Sequence, residues 1–310
     1  MISFGRACID EYYLVSGSSL ESKKSPILDH HVAGGGQAAT SAVVVSILGG
    51  KSAYVGNLGL DSFGMEILKE FKRFGVDTRW VNRYPELSTP KALILVNEEN
   101  GDRTIYYEPS AKKSSVGISK DCFENVKCLI LDPEISIQDL DFVMEHKDKE
   151  TLIIYDAERQ RPALAKMMEV ADFFIASETI LDIEEGVSRK KKFEELKEKV
   201  QGEFIITFGE KGAFWVRGEQ VLHVSAFLDV KTLDTTGAGD VYHASFAYFY
   251  PRLIDIEKTM LHASYCAAVS TQYLGTRHQM PFFEGLESGI GSLKVKDIAV
   301  STFCKNYLAE

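Results

Sequence analysis

The sequence predicts an α/β fold in which helices cover both faces of a mostly parallel β-sheet. The first observation is that short apolar runs alternate with amphipathic segments along most of the chain, as in successive β-α units. The second is the composition: 45% of the 310 residues are hydrophobic and 26% are charged, which is typical of a globular protein. The sequence contains no repeat or low-complexity segment, so we expect a single domain over residues 1–310.

The predicted elements alternate in this way from the N-terminus onward. Ile2–Ile9 is the first predicted strand. The small residues of Ala38–Leu48 predict a helix, and Ser52–Val55 follows as a second strand. In Asp61–Phe74 the apolar residues recur at helical spacing, and Gly75 comes where a C-cap glycine belongs.

The rest of the chain continues the alternation and ends in helices. Its predicted strands are the apolar runs Cys128–Leu131, Leu152–Tyr155, Phe173–Ala176 and Phe204–Phe208. Its predicted helices are Gln138–His146, Ala163–Val170, Ala238–Phe249, Ile256–Tyr273 and Val295–Leu308. Strands separated by helices favour parallel pairing.

Residues 11–32 and 88–110 depart from this rhythm because their polar and apolar residues alternate. Within them, Ala92–Asn97 and Arg103–Tyr107 predict a hairpin across a glycine-containing link. These segments can form a small projecting sheet, which is either a lid over a site or an ordinary surface hairpin. Because an exposed strand edge and apolar face need cover, we expect the chain to form a homodimer through this sheet.

Charge and the chain ends exclude several classes of protein. The 35 Lys and Arg and 45 Asp and Glu residues give a net charge of −10, which offers no general attraction to nucleic acid or anionic membrane. The five cysteines stand at no metal-ligand spacing, which predicts reduced thiols. The N-terminus has no signal-peptide pattern, and no stretch approaches the ~18 apolar residues of a membrane helix, so we expect a cytoplasmic protein.

The segment Asp234–Asp240, of sequence DTTGAGD, carries the clearest chemistry. Its small residues open a helix, whose first N–H groups and dipole attract an anion. A carboxylate at Asp240 would repel that anion, but it suits a base that accepts a proton from a hydroxyl attacking a phosphoryl group. The alternative is that Asp240 merely favours the helix start.

Asp234–Asp240 resembles, at every fixed position, the DTxGAGD signature of the ribokinase-like (PfkB) carbohydrate kinases. Other segments resemble elements of that family: Gly34–Ala42 (GGxxxN, with Thr40 at the Asn position), Gly56–Gly64 (GxVGxDxFG), Ile205–Ala213 (TxGxxG) and Ser270–Pro281 (the final nucleotide loop). Gly34, Gly36 and Ala39 also imitate a dinucleotide fingerprint. That fingerprint follows the first strand closely, however, whereas roughly twenty residues intervene here after Ile9.

The resemblance implies a three-layer αβα sandwich with a β-sheet lid, and it implies site residues. Asp240 would be the catalytic base, and the amides of Gly237, Ala238 and Gly239 would form the anion hole. The implied sugar-binding residues are Asp10, Gly35, Gly36, Thr40, Glu134 and Lys24. The implied nucleotide-binding residues are Ser177, Thr207, Gly209, Gly212 and Gly275.

ATP is expected to arrive with Mg²⁺, which neutralises its phosphate oxygens. Many family members place an NxxE motif near the metal, but this chain has Ser177-Glu178-Thr179-Ile180, in which Glu178 is the candidate ligand. A monovalent cation such as K⁺ near Asp234 is also common in the family.

The overall pattern is most similar to the ketohexokinase and sulfofructose kinase branch. Lys24 stands roughly where the latter has a lysine for the sulfonate, yet Tyr107 and Glu134 replace its Asn and Arg. An acid facing a sulfonate is repulsive, which favours a neutral or weakly charged sugar. The resemblance implies transfer of the ATP γ-phosphoryl group to a primary hydroxyl of a ketose, pentose or related sugar. The competing hypotheses are a catalytically weak, kinase-like sugar sensor and a nicotinamide oxidoreductase.

Overall fold

The computed structural model describes residues 1–16, 24–98, 103–108, 117–159, 161–182, 184–275, 277 and 281–308. Its strands are β1 (Ile2–Phe4), β2 (Cys8–Val15), β3 (Ile27–Gly35), β4 (Ala53–Gly59), β5 (Val81–Tyr84), β6 (Lys91–Asn97), β7 (Arg103–Tyr107), β8 (Cys128–Leu131), β9 (Leu152–Ala157), β10 (Phe173–Ser177), β11 (Glu203–Thr207), β12 (Ala213–Arg217), β13 (Gln220–Val224) and β14 (Val295–Ala299). Its α-helices are α1 (Gln37–Ile47), α2 (Ser62–Phe74), α3 (Ile137–His146), α4 (Leu164–Val170), α5 (Arg189–Lys199), α6 (Ala238–Leu253), α7 (Ile256–Ser270), α8 (Leu286–Ser292) and α9 (Val300–Tyr307).

The main sheet of the described residues has ten strands in the order β14-β13-β12-β11-β10-β9-β8-β1-β4-β5. The strands from β5 to β11 in this order are parallel, and β12, β13 and β14 are antiparallel additions at one edge. The βαβ connections place the carboxyl ends of the parallel strands at one edge of the sheet, which is where α/β proteins bind ligands.

Helices pack on both faces of this sheet because successive side chains of a buried strand point to opposite sides. On β8, Leu129 and Leu131 pack with residues of α3, α4, α5 and α9. Cys128 and Ile130 pack with residues of α6 and α7 on the other face, where α1 packs against α6. The predicted three-layer αβα architecture is therefore confirmed.

A second sheet, with strand order β3-β2-β6-β7, stands apart from the first and forms the lid. The predicted hairpin is present as β6 and β7, which pair antiparallel. Tyr12, Ala92, Ile94 and Val96 form a buried cluster on one side of the lid. Strand β2 begins at Cys8 and strand β3 ends at Gly35. The small sheet therefore extends beyond both ends of the predicted lid segment 11–32.

Two predicted elements are wrong. The predicted strand Ile2–Ile9 is two strands in different sheets, because the chain turns at Gly5, whose φ is +146°. The predicted helix Val295–Leu308 begins as the edge strand β14, which pairs with β13 over five residues, and becomes helical only at Val300. Backbone pairing with a neighbouring strand outweighs the helical pattern there.

A helix that crosses a membrane must be both long and apolar. No helix among the described residues meets both conditions.

Candidate active site

Polar side chains gather at the carboxyl ends of the parallel strands, beside the start of α6. Asp132 follows β8, Asp156 is near the end of β9, and Ser177 and Thr207 end β10 and β11. Asp10 reaches this region from the lid strand β2. Residues far apart in the sequence therefore meet in one cleft between the lid and the main sheet.

A cavity of about 580 Å³ lies at this edge, within the size range of small-molecule sites. Its polar wall includes the predicted nucleotide residues Ser177, Thr207, Gly209 and Gly212, together with Glu178, Ala238 and Gly239. Its apolar wall includes Phe227, Leu228, Val230, Tyr242, Ala267 and Ala268. One wall can thus receive phosphates and the other a flat apolar ring.

The start of α6 presents main-chain amides to this cavity. Gly237, with φ +67°, is the N-cap in the left-handed conformation, which glycine adopts without a steric penalty. Within the described residues, the amides of Gly237 and Gly239 have no hydrogen-bond acceptor, whereas that of Ala238 lies 3.3 Å from Thr235 O. Two of the three predicted amides are therefore open to an anion, and the third is partly engaged by its own turn.

Asp240 lies in the first turn of α6 and is half-buried. Its carboxylate accepts no hydrogen bond within the described residues. Burial, followed by the negative charge of Asp156, raises the pKa of Asp240 well above its usual range, while His243 acts in the opposite direction. A carboxylate with a raised pKa is better matched to accepting a proton near neutral pH.

Asp10 and Gly35 form one corner of the cleft on the lid side. Asp10 is 9% exposed, and the Cys8 thiol and Tyr12 hydroxyl lie 3.3 and 3.4 Å from its carboxylate oxygens. Burial raises the pKa of Asp10. A Cβ on Gly35 would come within 2.1 Å of Asp10 Oδ2, so this glycine makes room for the carboxylate. Gly36, with φ +90°, is the N-cap of α1.

Thr40 is buried on α1, and its hydroxyl oxygen accepts a hydrogen bond of 3.2 Å from Arg277 Nε. The same arginine donates to Gly35 O at 2.5 Å and pairs with Glu70 at 2.6 Å. Thr40 thus supports the wall of the pocket and has its hydroxyl directed to Arg277.

Three further predicted residues are not among those that line the cavity. Glu134 is exposed and pairs with Arg161 at 2.6 Å, which balances its charge. Lys24 is exposed at the edge of the lid. Gly275 does not line the cavity: it lies beside the Tyr12 ring, and its amide donates to Asp234 Oδ2 at 2.9 Å.

The two candidate metal ligands have other partners. Asp234 is buried, and its oxygens accept the amides of Thr236 and Gly275. Glu178 pairs with Arg189 at 3.2 Å. The described residues contain no group of three or more His, Cys, Asp or Glu side chains placed to hold a metal ion. The described residues therefore offer no dedicated side-chain cage for Mg²⁺. Glu178 as a single ligand beside the phosphates and a K⁺ ion near Asp234 stay predictions.

The sequence analysis missed Arg103, Arg277, Asp156 and His243. Arg103 on β7 donates to Thr235 Oγ1 and also lines the cavity, so a lid residue contacts the loop that precedes α6. Its only signal in the sequence was a lone cation at the start of a hairpin strand. Asp156 had a usable signal, because it follows an apolar run whose end lies at the ligand-binding edge.

Comparison with known proteins agrees with this geometry. Residues 1–282 match the family model described as pfkB family carbohydrate kinase. The chain is 30% identical to a deoxyribokinase of Salmonella typhi over 264 residues, which cover 81% of this chain and 85% of the relative. It is 27% identical to the ribokinase of Bacillus subtilis over 255 residues, 80% of this chain and 84% of that protein.

Solved structures show the same fold. The ribokinase of Thermotoga maritima superposes with a TM-score of 0.77 at 23% identity, covering 94% of this chain and 99% of that one. The ribokinase of Arabidopsis thaliana, solved with ribose and ATP, gives 0.75 at 22% identity, covering 93% and 97%. The chain therefore belongs to the PfkB family of carbohydrate kinases and is an ATP-dependent sugar kinase.

Proposed function

We propose that this kinase transfers the γ-phosphoryl group of ATP to a primary hydroxyl of a pentose, with Asp240 as the base. The observation that carries the proposal is the placement of Asp240 directly after Gly239, whose amide has no acceptor within the described residues and which lines a cavity of nucleotide size. A proton acceptor and an anion site are thereby held within one helical turn.

ATP fits the cavity in one direction. Its adenine ring packs on the apolar wall, and its phosphates point to the start of α6, where the helix dipole and open amides favour negative charge. Arg103 reaches the same loop from the lid and adds a positive charge. Mg²⁺ would enter with ATP and would neutralise charge on its phosphate oxygens, a role that requires no dedicated protein cage.

The sugar lies between Asp10 and Asp240 beneath the lid. Asp240 takes the proton of the attacking hydroxyl as that oxygen bonds to the γ-phosphorus. The bond from the γ-phosphorus to the bridging oxygen breaks, and ADP leaves with the electron pair. The amides of Gly237 and Gly239 and the Arg103 guanidinium stabilise the charge on the transferred group.

A pentose is the favoured substrate because the relatives named above are deoxyribokinases and ribokinases. Asp10 supplies acceptor oxygens for sugar hydroxyls, and the Thr40 hydroxyl is already bonded to Arg277. The charge of Glu134 is paired with Arg161, and a neutral sugar needs no counter-charge from the pocket.

The test is a coupled ADP-release assay over 2-deoxyribose, ribose, other pentoses, ketoses, sugar acids and nucleosides. We expect a pentose to give the highest kcat/KM. Asp240→Asn should lower kcat by about 10²–10⁴-fold, because the general base is lost, while ATP still binds. Asp148→Asn, which changes an exposed acid in the loop before β9, is the matched control and should keep full activity.

Two results would contradict the proposal. Near-normal turnover in Asp240→Asn would reject the assignment of the base. Binding of ATP and a sugar by the unmodified protein, without ADP release across the panel, would instead support the sugar sensor.

We further propose that the kinase is a homodimer that joins through the outer face of the lid. The strand register aligns Val32, Glu11, Leu93 and Tyr106 in one row across the four lid strands. The apolar members of this row are 43%, 37% and 52% exposed in chain order, which is unusual for the outside of a sheet. A second copy of the same sheet would cover them.

A further inference from the structure

His243 is buried on α6, one turn after Asp240, and both of its ring nitrogens face oxygen atoms. Nδ1 lies 2.7 Å from Gly239 O. Nε2 lies 3.1 Å from Ile175 O on β10 and 3.5 Å from Asp156 Oδ1 on β9. The ring thus bridges the start of α6 and the ends of two strands.

These contacts determine which protons the ring carries. A main-chain carbonyl oxygen only accepts hydrogen bonds. A neutral imidazole would turn one nitrogen lone pair toward an oxygen lone pair, at 2.7 Å or at 3.1 Å. When both nitrogens carry hydrogen, every one of these contacts becomes attractive, so the geometry fits an imidazolium.

The surroundings of Asp156 fit its ionised form. Its Oδ2 accepts a hydrogen bond of 3.2 Å from Gln37 Nε2, and its Oδ1 faces the imidazole. Oδ2 therefore meets a donor, and Oδ1 lies at ion-pair distance from a ring nitrogen. Burial, followed by the carboxylates of Glu158 and Asp132, raises the pKa of Asp156, so an ionised Asp156 requires a nearby positive charge.

We propose that His243 is a positioning residue that carries hydrogen on both ring nitrogens and neutralises Asp156, so that Asp240 ionises beside it. Without the imidazolium, Asp156 and Asp240 are neighbouring carboxylates that compete for one proton. With it, the proton resides on His243, and Asp240 is left as the acceptor for the substrate proton. The inference rests on the proposed role of Asp240.

Other charged groups also face Asp156 and Asp240. Glu158 and Asp10 add negative charge near Asp240, and Asp132 adds it near Asp156. Arg159 adds positive charge near Asp156, although its guanidinium already pairs with Glu158. His243 is the cation that contacts the Asp156 carboxylate directly among the described residues.

The first test locates the proton without using catalysis. In ¹⁵N-histidine NMR spectra of the intact protein at pH 7.5, His243 should show two protonated ring nitrogens. His243→Gln identifies its signal. A neutral ring with one protonated nitrogen would overturn the proposal whatever the enzyme's activity, and it would leave the kinase assignment untouched.

The second test measures the effect on Asp240 through the pH dependence of kcat/KM. In His243→Gln the acidic limb should move up by about one pH unit, because Asp156 and Asp240 then compete for one proton. In His243→Gln/Asp156→Asn the competing carboxylate is gone, so the limb should return to within about 0.3 units of the unmodified enzyme. A purely structural role for His243 would make the double variant no better than the single one.

The pH dependence is compared only among variants whose ATP binding and melting curves show that they are folded. An unshifted limb in folded His243→Gln overturns the proposal, as does a double variant that keeps the shift of the single one. If His243→Gln does not fold, Asp156→Asn identifies the NMR signal instead, because loss of the facing carboxylate should move the His243 resonance more than any other. The NMR result on the unmodified protein then decides the proposal alone.

Discussion

At the scale of single residues, the cleft depends on glycines, which have no side chain, as much as on its carboxylates. A Cβ on Gly35 would lie 2.1 Å from Asp10 Oδ2, and one on Gly5 would lie 2.0 Å from Asp132 Cγ. Burial raises the pKa of Asp132 to about 7, even though the amides of Arg6 and Glu134 donate to it. Two glycines therefore let two buried carboxylates approach the main chain closely.

Gly35→Ala tests whether sugar binding depends on the space that Gly35 leaves for the Asp10 carboxylate. The added methyl group must displace the Asp10 carboxylate, which we propose binds sugar hydroxyls. Loss of hydrogen bonds to a charged group costs about 1.5–3 kcal/mol, so the KM for the sugar should rise at least about tenfold. The KM for ATP should change little, and steady-state kinetics with each substrate varied in turn measures both.

Gly291→Ala is the matched control for that substitution. Nothing lies within 4 Å of the Cβ it would add, and its φ is not positive. Its kinetic constants should equal those of the unmodified enzyme. An unchanged sugar KM in Gly35→Ala would show that Asp10 is not held against this glycine when the sugar binds.

The residues of the site also show what could be read from the sequence. The DTTGAGD segment predicts the helix start, the anion site and the base together, because all three are local properties of one turn. Asp156 and Arg103 join Asp240 only through the fold, since they come from a neighbouring strand and from the lid. No local pattern specifies such contacts, and a single histidine on a helix gives no local sign of them either.

At the scale of elements, Asp61 connects helix α2 to the lid. It is the N-cap of α2, and its carboxylate accepts the amide of Gly64 at 2.8 Å. It also accepts the amide of Thr89 at 2.7 Å, just before β6 begins. One side chain therefore fixes both the start of a helix and the entry of the chain into a lid strand.

Asp61→Ala should destabilise the protein by about 1–3 kcal/mol, because both the cap and the Thr89 amide lose their acceptor. Urea unfolding at pH 7 measures this change in the free energy of unfolding. The matched control is Asp255→Ala, which removes the cap of α7, a single hydrogen bond donated by Lys258 N, together with an exposed ion pair to Lys258 Nζ. Equal losses in the two variants would show that the Thr89 contact contributes nothing.

The contribution of Asp61 to the free energy of unfolding depends on pH in a predictable direction. Although burial alone would raise the pKa of Asp61, the hydrogen bonds from Thr89 and Gly64 lower it below its usual value. The stabilisation is therefore complete above the unfolded pKa of about 3.9 and is lost as the pH falls through the lower folded value. The stability gap between the unmodified protein and Asp61→Asn should narrow only below about pH 4.

The elements that were predicted wrongly share a cause. The first strand was extended through Gly5 because a run of apolar residues does not reveal that the chain changes sheets. The C-terminal helix was started too early because Val295–Ala299 carries no strong strand signal, and its pairing with β13 depends on residues about seventy positions earlier. Local patterns specify the central strands well because burial on both faces requires continuous apolar runs.

At the scale of the whole molecule, the two sheets divide the work of the enzyme. The main sheet brings its strand ends and the start of α6 to one edge, where the nucleotide cavity lies. The lid supplies Asp10 and Arg103 from above. Anything that holds the lid sheet in place should therefore affect sugar binding as well as assembly.

Leu93→Arg tests both consequences of the proposed lid dimer. Leu93 is in the middle of the row Val32, Glu11, Leu93 and Tyr106, so an arginine there buries a charge in the interface. We expect light scattering at micromolar concentration to give twice the 34.6 kDa chain mass for the unmodified protein and the single chain mass for the variant. The sugar KM should rise in parallel, since the lid that carries Asp10 loses its support.

Ile137→Arg, at a 48% exposed position on α3, is the control and should stay dimeric. A monomeric unmodified protein, or a Leu93→Arg variant that remains dimeric, would mean that the apolar row is covered in some other way.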